Sequence, residues 1–273
     1  MSALPPDWLL RARADARQPP RRARLPFFAD GYPVGSVEPG VLDEIVLQSL
    51  LDVRYKLSIQ ERFAAPVWCL EAQHGELTAA FDALARALRA LGHCGPWRNE
   101  QLAVCTAQGK CLGTIERGLV RVLGIATQAV HLVGLAPDGR MWVQQRAFDK
   151  PNNPGQWDTL MGGMVSAADT LHEALERETW EEACLRLSAL QNVVHGGHIG
   201  FERPSREGGG TGYMRERIDW FRAVVPPDRV PCNQDGEVAR FELLPPETLR
   251  QWVEQGLFTQ EATLVLAASW GLC

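Results

Sequence analysis

The segment GGMVSAADTLHEALERETWEEACL, residues 162–185, places Glu178, Glu181 and Glu182 within five positions of a helix-forming stretch. At about 100° per residue, Glu181 lies about 60° to one side of Glu178, and Glu182 lies about 40° to the other. The three carboxylates therefore extend the stripe that begins with the apolar residues Leu171, Ala174 and Leu175. Carboxylates turned inward repel one another by up to ~3 kcal/mol per pair at an effective dielectric of ~20. The pattern predicts a positive charge among them.

A hard divalent cation is the partner that oxygen ligands of this kind favour, so the segment predicts a Mg²⁺ or Mn²⁺ site. Thr170 and Glu173 have the spacing of a capping box, which predicts where the helix begins. Gly162 and Gly163 precede it and predict a backbone turn with free carbonyl groups beside the metal. The alternative is an acidic helix face that points into solvent, which is what most charged runs form.

The composition is that of a globular protein. The chain has 273 residues, of which 45% are apolar and 22% charged, enough for one large domain or two modest ones. A net charge of -5 gives no reason to expect nucleic acid or an anionic membrane as a partner. The seven cysteines contain no C-x-x-C pair, so we expect reduced thiols in a cytoplasmic protein. The apolar run ATLVLAASWGL, residues 262–272, is shorter than the ~18 residues of a membrane span.

The chain divides into three predicted regions. Residues 1–24 are rich in arginine and proline, and we interpret them as a basic, solvated lead-in. Residues 25–122 alternate short strands with one amphipathic helix and predict a small α+β domain. Residues 123–273 interleave strands and helices without regular β-α-β spacing, which predicts a mixed α/β sandwich rather than a doubly wound sheet.

Local signals place the elements within these regions. Apolar residues at helical spacing predict a helix over residues 76–92 that stops at Gly92. Short strands are predicted on either side of turns at Gly35 and in QGK, residues 108–110. In the last region, the PDG turn at residues 137–139 predicts a strand hairpin. Further predicted elements are a helix from Thr170 to Leu185, extended segments at 190–201 and 216–225, a late strand, and helices at 246–255 and 259–270.

The segment at 162–185 also resembles the Nudix box, G-x5-E-x7-R-E-U-x-E-E-x-G-U. The residues that match it in register are Gly163, Arg177, Glu178, Glu181 and Glu182. An Arg-Glu pair and a Glu-Glu pair at fixed distances from one glycine make this register specific. Two positions depart from the box: Asp169 replaces its first glutamate, and Cys184 replaces its last glycine. The first change keeps the charge, and the second alters the end of the helix.

The resemblance continues outside the box. WRNEQLAV (97–104), GTIERGLVRVLGI (113–125), VHLVGLAPDGRMWVQQR (130–146) and NQDGEVARFELL (233–244) look like the Nudix group that has an extra N-terminal domain. That group is related to the Nudix part of fungal thiamine pyrophosphokinase proteins. The resemblance implies a Nudix α/β/α sandwich with a mixed sheet and an N-terminal α+β domain packed against it. It also implies hydrolysis of a small diphosphate, with the oxy and oxo forms of thiamine diphosphate as the leading substrates.

The resemblance also implies roles for individual residues. Glu178 and Glu182 are implied as the first metal ligands, and Glu181 as a further ligand or one held through water. A backbone carbonyl of Gly162 or Gly163 is implied as an extra ligand. Because Nudix enzymes differ in the glutamate that deprotonates water, Glu178 and Glu181 both remain candidates for the catalytic base. Ion pairs of Arg177 and Asp169 are implied as structural support.

Four residues outside the box are further candidates. Glu237 is a candidate base, although an acid beside an Asp-Gly turn is a structural alternative. Arg146 and Lys150 are candidate cations for the diphosphate, with solvated loop charges as the alternative. Trp157 is a candidate for stacking on an aromatic ring of the substrate, with core packing as the alternative.

Other functions stay open from the sequence. One is hydrolysis of a nucleoside diphosphate derivative such as ADP-ribose or NADH, although the aromatic-proline pattern of NADH hydrolases is not found after the box. Another is an isopentenyl diphosphate isomerase-like enzyme, which PGQWD (154–158) faintly resembles. Against it, no cysteine lies between Cys111 and Cys184. A non-hydrolytic binding module is disfavoured because the box glutamates are intact. A homodimer is also open.

Overall fold

The computed structural model describes residues 5–48 and 50–272. The first four residues of the predicted lead-in, Ser49 and Cys273 lie outside the described residues. None of the described helices combines the length and the apolar character that crossing a membrane requires.

The helices and strands of the described residues follow one another along the chain. The N-terminal part contains α1 (Asp7–Ala16), β1 (Leu25–Ala29), β2 (Tyr32–Val37), α2 (Asp43–Leu47), β3 (Tyr55–Arg62), β4 (Ala65–Ala72), α3 (Leu77–Ala90), β5 (Gln101–Cys105) and β6 (Cys111–Glu116). The C-terminal part contains β7 (Ala126–Leu135), β8 (Met141–Arg146), β9 (Trp157–Asp158), β10 (Met161–Met164), α4 (Leu171–Ala183), β11 (Gln191–Pro204), β12 (Tyr213–Val224), β13 (Val238–Leu244), α5 (Pro246–Glu254) and α6 (Gln260–Ser269).

The N-terminal unit, defined here as residues 25–125, is a small α+β structure. Its four-stranded sheet has the order β2-β1-β4-β3, and the hairpin of β5 and β6 lies outside that sheet. Helix α3 buries Leu77, Phe81 and Leu84 in the core that the sheet and hairpin share. Gly92 follows the helix with a φ of 78°, a conformation that favours glycine and ends the helix as predicted.

The end of the N-terminal unit belongs to its core. Val122, Leu123 and Ile125 are at most 1% exposed and pack in the same apolar cluster as α3. The domain boundary predicted between residues 122 and 123 therefore falls within a buried segment and not in an exposed linker.

The predicted turn at Gly35 was wrong. Gly35 lies inside β2, and the chain turns earlier, at Asp30 and Gly31. A Cβ on Gly35 would lie 2.2 Å from the carbonyl oxygen of Leu123, which also accepts a hydrogen bond from the Ser36 N–H at 2.8 Å. The glycine thus permits close backbone approach of β2 and the end of the unit. The turn predicted in QGK does lie between β5 and β6.

The C-terminal part is built on a mixed sheet with helices on both faces. Its path is β11-β12-β7-β8-β13, with β10 paired to β7 and β9 paired to β8. Strands β12 and β7 are parallel, whereas the other neighbours are antiparallel. Helix α4 packs Ala174 and Leu175 on one face, against Val130 and Leu132 of β7. Helix α6 packs on the other face. The predicted mixed α/β/α sandwich is confirmed.

The prediction that residues 1–24 form a solvated lead-in was wrong for Asp7–Ala16, which form α1, whereas residues 17–23 are exposed as predicted. Helix α1 places Leu9, Ala12 and Ala16 in one core with strands of the C-terminal sheet and α6. These residues recur at helical spacing, but the arginines between them masked this apolar stripe. Arg24 is also held in place, because its guanidinium donates to the carbonyl oxygens of Ser36, Thr211 and Val122.

Because α1 packs on the C-terminal part through one face, we expect substitutions of two neighbouring leucines to differ in their effect on the free energy of unfolding. Leu9 is 0% exposed and Leu10 is 49% exposed. We expect Leu9→Ala to lower the free energy of unfolding by about 2–5 kcal/mol, because it removes buried apolar volume. Leu10→Ala should change it by less than about 0.5 kcal/mol. Urea unfolding of both variants measures the difference, and equal effects would contradict the docking of α1.

Candidate active site

Helix α4 begins and ends at positions that its sequence explains. The Thr170 hydroxyl accepts a hydrogen bond from the Glu173 N–H at 3.3 Å, and the Thr170 N–H donates to the Glu173 carboxylate at 2.8 Å. This is the predicted capping box. The helix ends at Cys184, which has a φ of 57° and a ψ of 27°. That left-handed conformation favours glycine, the residue that the box normally has at this position.

Glu182 is a buried carboxylate. It is 3% exposed, and its Oε2 accepts hydrogen bonds from Gln144 Nε2 at 2.8 Å and from the Gly162 N–H at 3.1 Å. Burial, with repulsion from Glu178 in addition, raises the pKa of Glu182 to about 8. The Oε1 of Gln144 is also buried and has no hydrogen-bond partner among the described residues. Strands β8 and β10 and helix α4 thus enclose an acid that is difficult to ionise.

Glu178 lies one helical turn earlier on the same stripe. Its side chain is 13% exposed, and burial raises its pKa to about 7 although Arg177 opposes the shift. A Cβ on Gly163 would lie 2.0 Å from the carboxyl carbon of Glu178. A side chain at that position would therefore fill the space that the carboxylate occupies. Glu181 differs from both acids because its side chain is 45% exposed.

Arg177 connects the acids of the box. Its Nη1 donates to Glu178 at 2.8 Å and to Glu181 at 3.0 Å. Its Nε and Nη2 both donate to Asp169 Oδ2, at 2.9 and 2.8 Å, and Nη2 also reaches the Met164 carbonyl at 3.2 Å. The aspartate that departs from the box thus occupies the place of its first glutamate as a partner of the arginine.

The carboxylates of the box have the chemistry that a hard divalent cation requires of its ligands. Glu178 and Glu182 are buried carboxylates four residues apart, and each has a raised pKa that a nearby cation would lower. In this arrangement, however, no three His, Cys, Asp or Glu side chains of the described residues form a group that could hold a metal. Glu181 is the most exposed of the three acids and is paired with Arg177. The pair that could hold a cation is therefore Glu178 and Glu182, with backbone oxygen from the glycine strand.

Two candidates from outside the box form an ion pair with each other. Lys150 contacts the Glu237 carboxylate, and its side chain is only 15% exposed. Burial raises the pKa of Glu237, but Lys150 lowers it. Arg117 and Arg146 lower it further, so the pKa lies below its ordinary value. The charge of Lys150 also acts on Glu182 and opposes the rise in its pKa. The structure thus brings both residues near the buried acids.

Arg146 and Trp157 have different surroundings. Arg146 lines a cleft beside the box and holds the Asn152 carbonyl with Nε and Nη2, at 3.4 and 3.2 Å. Trp157 is 5% exposed and lies in an apolar cluster, with its ring centroid 4.9 Å from that of Trp252. The burial of Trp157 favours the core-packing alternative over stacking on a substrate.

The cleft has a volume of about 690 Å³ and meets the box at Gly162. Most of its charged or titratable lining residues were not singled out from the sequence, among them Arg117, Arg121, His131, Asp158, Arg203 and Glu216. They come from segments far apart in the chain, so no local spacing connects them. The signals were resemblances to the Nudix group in GTIERGLVRVLGI, which contains Arg117 and Arg121, and in VHLVGLAPDGRMWVQQR, which contains His131.

Two buried contacts shape the cleft wall. Arg121 Nη2 lies 2.6 Å from Glu216, and although burial raises the pKa of Glu216, Arg121 and the hydrogen bond from Thr127 help to bring it below its ordinary value. Nearby, His131 Nδ1 is 2.9 Å from the hydroxyl of Thr159, which donates its own proton to the Met161 carbonyl at 2.8 Å. Because that hydroxyl has one proton, His131 is the donor from Nδ1. In the neutral imidazole, Nε2 is then the acceptor.

Comparison with known families agrees with this geometry. Residues 126–262 match the NUDIX domain family, and this range contains the capping box, the buried acids and strands β7 to β13. The chain therefore belongs to the Nudix family. Since the match begins at residue 126, the N-terminal unit is an addition to the family domain.

Three similar proteins share between 19% and 30% sequence identity with this chain. The chain is similar to Nudix hydrolase 24, chloroplastic, of Arabidopsis thaliana, with 27% identity over 152 residues that cover 55% of this chain and 40% of that protein. An uncharacterized Nudix hydrolase of Pseudomonas aeruginosa is 30% identical over 105 residues, which cover 38% of this chain and 60% of that one. The crystal structure of a Deinococcus radiodurans protein aligns with a TM-score of 0.48 at 19% identity, covering 63% of this chain and 98% of that chain.

The buried acids predict an unusual dependence of stability on pH. Because burial raises the pKa of Glu182 to about 8, the folded protein retains a proton that the unfolded chain releases at lower pH. We expect the free energy of unfolding to fall as the pH rises from about 5 to about 8 in buffer with a chelator. Glu182→Gln should reduce the slope and raise stability at the upper end.

Urea unfolding across this pH range tests the prediction. Glu176→Gln is the matched control on the same helix, since Glu176 is not among the groups that shift the pKa of Glu178 or Glu182, and it should leave the slope unchanged. Stability that rises with pH in the wild type, or equal slopes in wild type and Glu182→Gln, would contradict a buried acid with a raised pKa.

Proposed function

We propose that the protein hydrolyses a small diphosphate with the help of a divalent cation. The observation that carries the proposal is the pair of buried acids, Glu178 and Glu182, beside a polar cleft lined by arginines. Membership of the Nudix family supports it. A divalent cation bound there would neutralise phosphate oxygens and lower the pKa of a water molecule.

The protein's own residues have distinct parts in this proposal. Glu178 and Glu182 would hold the cation with a carbonyl of Gly162 or Gly163, and Glu181 would contribute from the exposed side. Water attacks one phosphorus atom, the bridging P–O bond breaks, and the proton of the water passes to a carboxylate. Glu237 is the proposed base, with Glu178 and Glu181 as alternatives. Arg177 and Asp169 keep the acids in place through the hydrogen bonds described above.

Cations outside the box neutralise the substrate. Lys150 lies by Glu237 and Glu182, where a phosphate would compete for its ammonium group. Arg146 lines the cleft and is held by the Asn152 carbonyl. Each would bind an oxygen of the diphosphate and offset charge that develops as the bond breaks.

For the substrate, we propose damaged thiamine diphosphate in its oxy or oxo form, cleaved to the monophosphate. The support is the resemblance to the Nudix group related to fungal thiamine pyrophosphokinase proteins. His131 and Asp158 line the polar cleft, where the Nε2 of a neutral His131 and the Asp158 carboxylate would accept hydrogen bonds from the heterocycle. A cytoplasmic location and a homodimer remain predictions.

The second candidate is a nucleoside diphosphate derivative such as ADP-ribose or NADH, because the arginines of the cleft suit any substrate with a diphosphate. The isomerase-like alternative is less favoured. Resemblance to an isopentenyl diphosphate isomerase would imply a catalytic cysteine in a strand before the box. Cys105 and Cys111 are the cysteines nearest before it, and they lie in the β5–β6 hairpin of the N-terminal unit.

A panel of substrates with Mg²⁺ tests the proposal. We expect oxythiamine diphosphate to be cleaved faster than thiamine diphosphate, ADP-ribose and NADH. Glu178→Gln and Glu182→Gln should each lower kcat by about 100-fold or more, because each removes a charged ligand. Glu176→Gln is the matched control on the same helix, since its amide oxygen can still accept from the Leu187 N–H.

The outcomes separate activity from substrate. Preferential cleavage of ADP-ribose would keep the mechanism and refute the thiamine proposal. Near wild-type turnover in Glu182→Gln would refute the role of the buried acids. An absence of cleavage of every member, in folded protein, would refute hydrolysis of these diphosphates.

The proposed base has its own test. Glu237→Gln should lower kcat by about 10²-fold or more, whereas Glu242→Gln, in the strand β13 that follows Glu237, should leave it within about twofold. If Glu237 is the base, kcat in the variant should also lose its rise with pH. A variant that retains kcat and this pH profile would transfer the role to Glu178 or Glu181.

A further inference from the structure

The N-terminal unit reaches the Nudix box directly. The Gln101 carbonyl in β5 accepts a hydrogen bond at 2.8 Å from the N–H of Ala167, in the segment between β10 and α4. Strand β6 then leads into a single 3₁₀ turn, Arg117–Leu119, whose N-cap Glu116 accepts from the Gly118 N–H. This turn places Arg117 in the wall of the cleft.

Arg117 is held on one side only. Its N–H donates to the Glu100 carbonyl at 2.9 Å, and its Nη1 donates to the Glu100 carboxylate at 2.7 Å. Its Nε and Nη2 have no hydrogen-bond acceptor among the described residues. The side chain is 38% exposed and contributes to the lining of the cleft.

The other arginines of the cleft are either committed to partners or exposed. Arg121 is paired with Glu216, and Arg203 is paired with Glu261. Arg146 uses Nε and Nη2 on the Asn152 carbonyl. Arg21 and Arg206 are exposed and have no hydrogen bond from their side chains to another described residue. Within the described part of the cleft, Arg117 thus combines a fixed position with free donors.

The charge of Arg117 acts at the reacting end of the cleft. Burial opposes that charge, yet Glu100, Glu178 and Glu216 raise the pKa of Arg117 above its ordinary value. Burial raises the pKa of Glu237 and Lys150 lowers it, and these are the largest effects. Arg117 adds a smaller effect that also lowers the pKa. Its guanidinium therefore lies within electrostatic reach of both a proposed metal ligand and the proposed base.

We propose that the N-terminal unit completes the substrate site, with Arg117 binding a phosphate of the diphosphate and Glu100 positioning Arg117. The inference rests on the proposed diphosphate hydrolysis. Two free nitrogens of a guanidinium match two oxygens of a phosphate, which gives a bidentate, charge-assisted contact. Because Glu100 holds the backbone and the opposite edge of Arg117, little side-chain freedom is lost when the phosphate binds.

The test compares variants of Arg117 and Glu100 in the full-length chain. We measure KM and kcat for the best substrate of the panel, and the affinity for methylenediphosphonate with Mg²⁺ by calorimetry. Arg117→Ala should raise KM and weaken this affinity by about 10- to 100-fold. Arg117→Lys should recover part of the loss, because it keeps the charge without the planar fork. Arg86→Ala, an exposed arginine of α3 in the same unit, is the control and should match the wild type.

Glu100 is a positioning residue and needs a readout of its own. Glu100→Ala should weaken methylenediphosphonate binding in the wild-type background but add little in the Arg117→Ala background. Equal effects in the two backgrounds would overturn the positioning role. Thermal unfolding of each variant separates a binding defect from loss of the fold, and Arg117→Lys serves where Arg117→Ala does not fold.

The two proposals fail in different ways. If the wild type hydrolyses no diphosphate but binds methylenediphosphonate through Arg117, the anion site stands and the hydrolase proposal falls. If the wild type hydrolyses a diphosphate and Arg117→Ala matches Arg86→Ala in KM and affinity, the role of Arg117 is overturned. It is equally overturned if the folded wild type does not bind methylenediphosphonate.

Discussion

The burial of two carboxylates on one helix face is the constraint on which the rest of this structure depends. Glu178 and Glu182 lie inside the protein, where each ionised group loses its hydration. The protein offsets part of that loss with Arg177, Gln144 and the Gly162 N–H. These donors belong to α4, β8 and β10, so the acids can be accommodated only while the three elements keep this arrangement.

The glycine strand β10 makes this arrangement possible because it separates two crowded surfaces. A Cβ on Gly163 would overlap the Glu178 carboxylate, whereas a Cβ on Gly162 would lie 2.7 Å from the His131 ring. Successive residues of a strand point to opposite faces. Neighbouring glycines therefore let the acids approach one face and the cleft wall approach the other. Any side chain at either position would displace a group of the proposed site.

Much of the fold could be predicted because its signals are local. The capping box placed α4, and the PDG turn placed the β7–β8 hairpin. Two errors came from tertiary contacts that such signals do not report. Helix α1 was hidden because arginines surround its short apolar stripe, and its partners on β7, β12 and α6 lie more than 100 residues away. Gly35 looked like a turn because its requirement for a small residue comes from Leu123.

The residues of the proposed site also fall into two groups: those that local spacing in the sequence brings together and those that only tertiary contacts bring together. The box acids lie within 20 residues of Gly163, so spacing alone groups them. The cleft wall instead joins Arg121 to Glu216 across 95 residues, and neither helical nor strand periodicity carries information about such a pair. Trp157 was singled out from the sequence, but its role could not be decided there. An aromatic residue before the box is equally compatible with stacking on a substrate ring and with packing in an apolar core. Only its neighbour Trp252 distinguishes the two.

Arg117 illustrates why an added unit can matter to a site that the family domain already contains. From the sequence, it is one of several arginines near the end of the N-terminal unit. Its position becomes informative only when Glu100 is seen to hold Nη1 of the guanidinium while the side chain contributes to the lining of the cleft. A flexible arginine on the Nudix domain would have to be ordered by the substrate, at a cost in side-chain entropy. An arginine fixed by a separate unit avoids that cost, because folding of the unit has already ordered it.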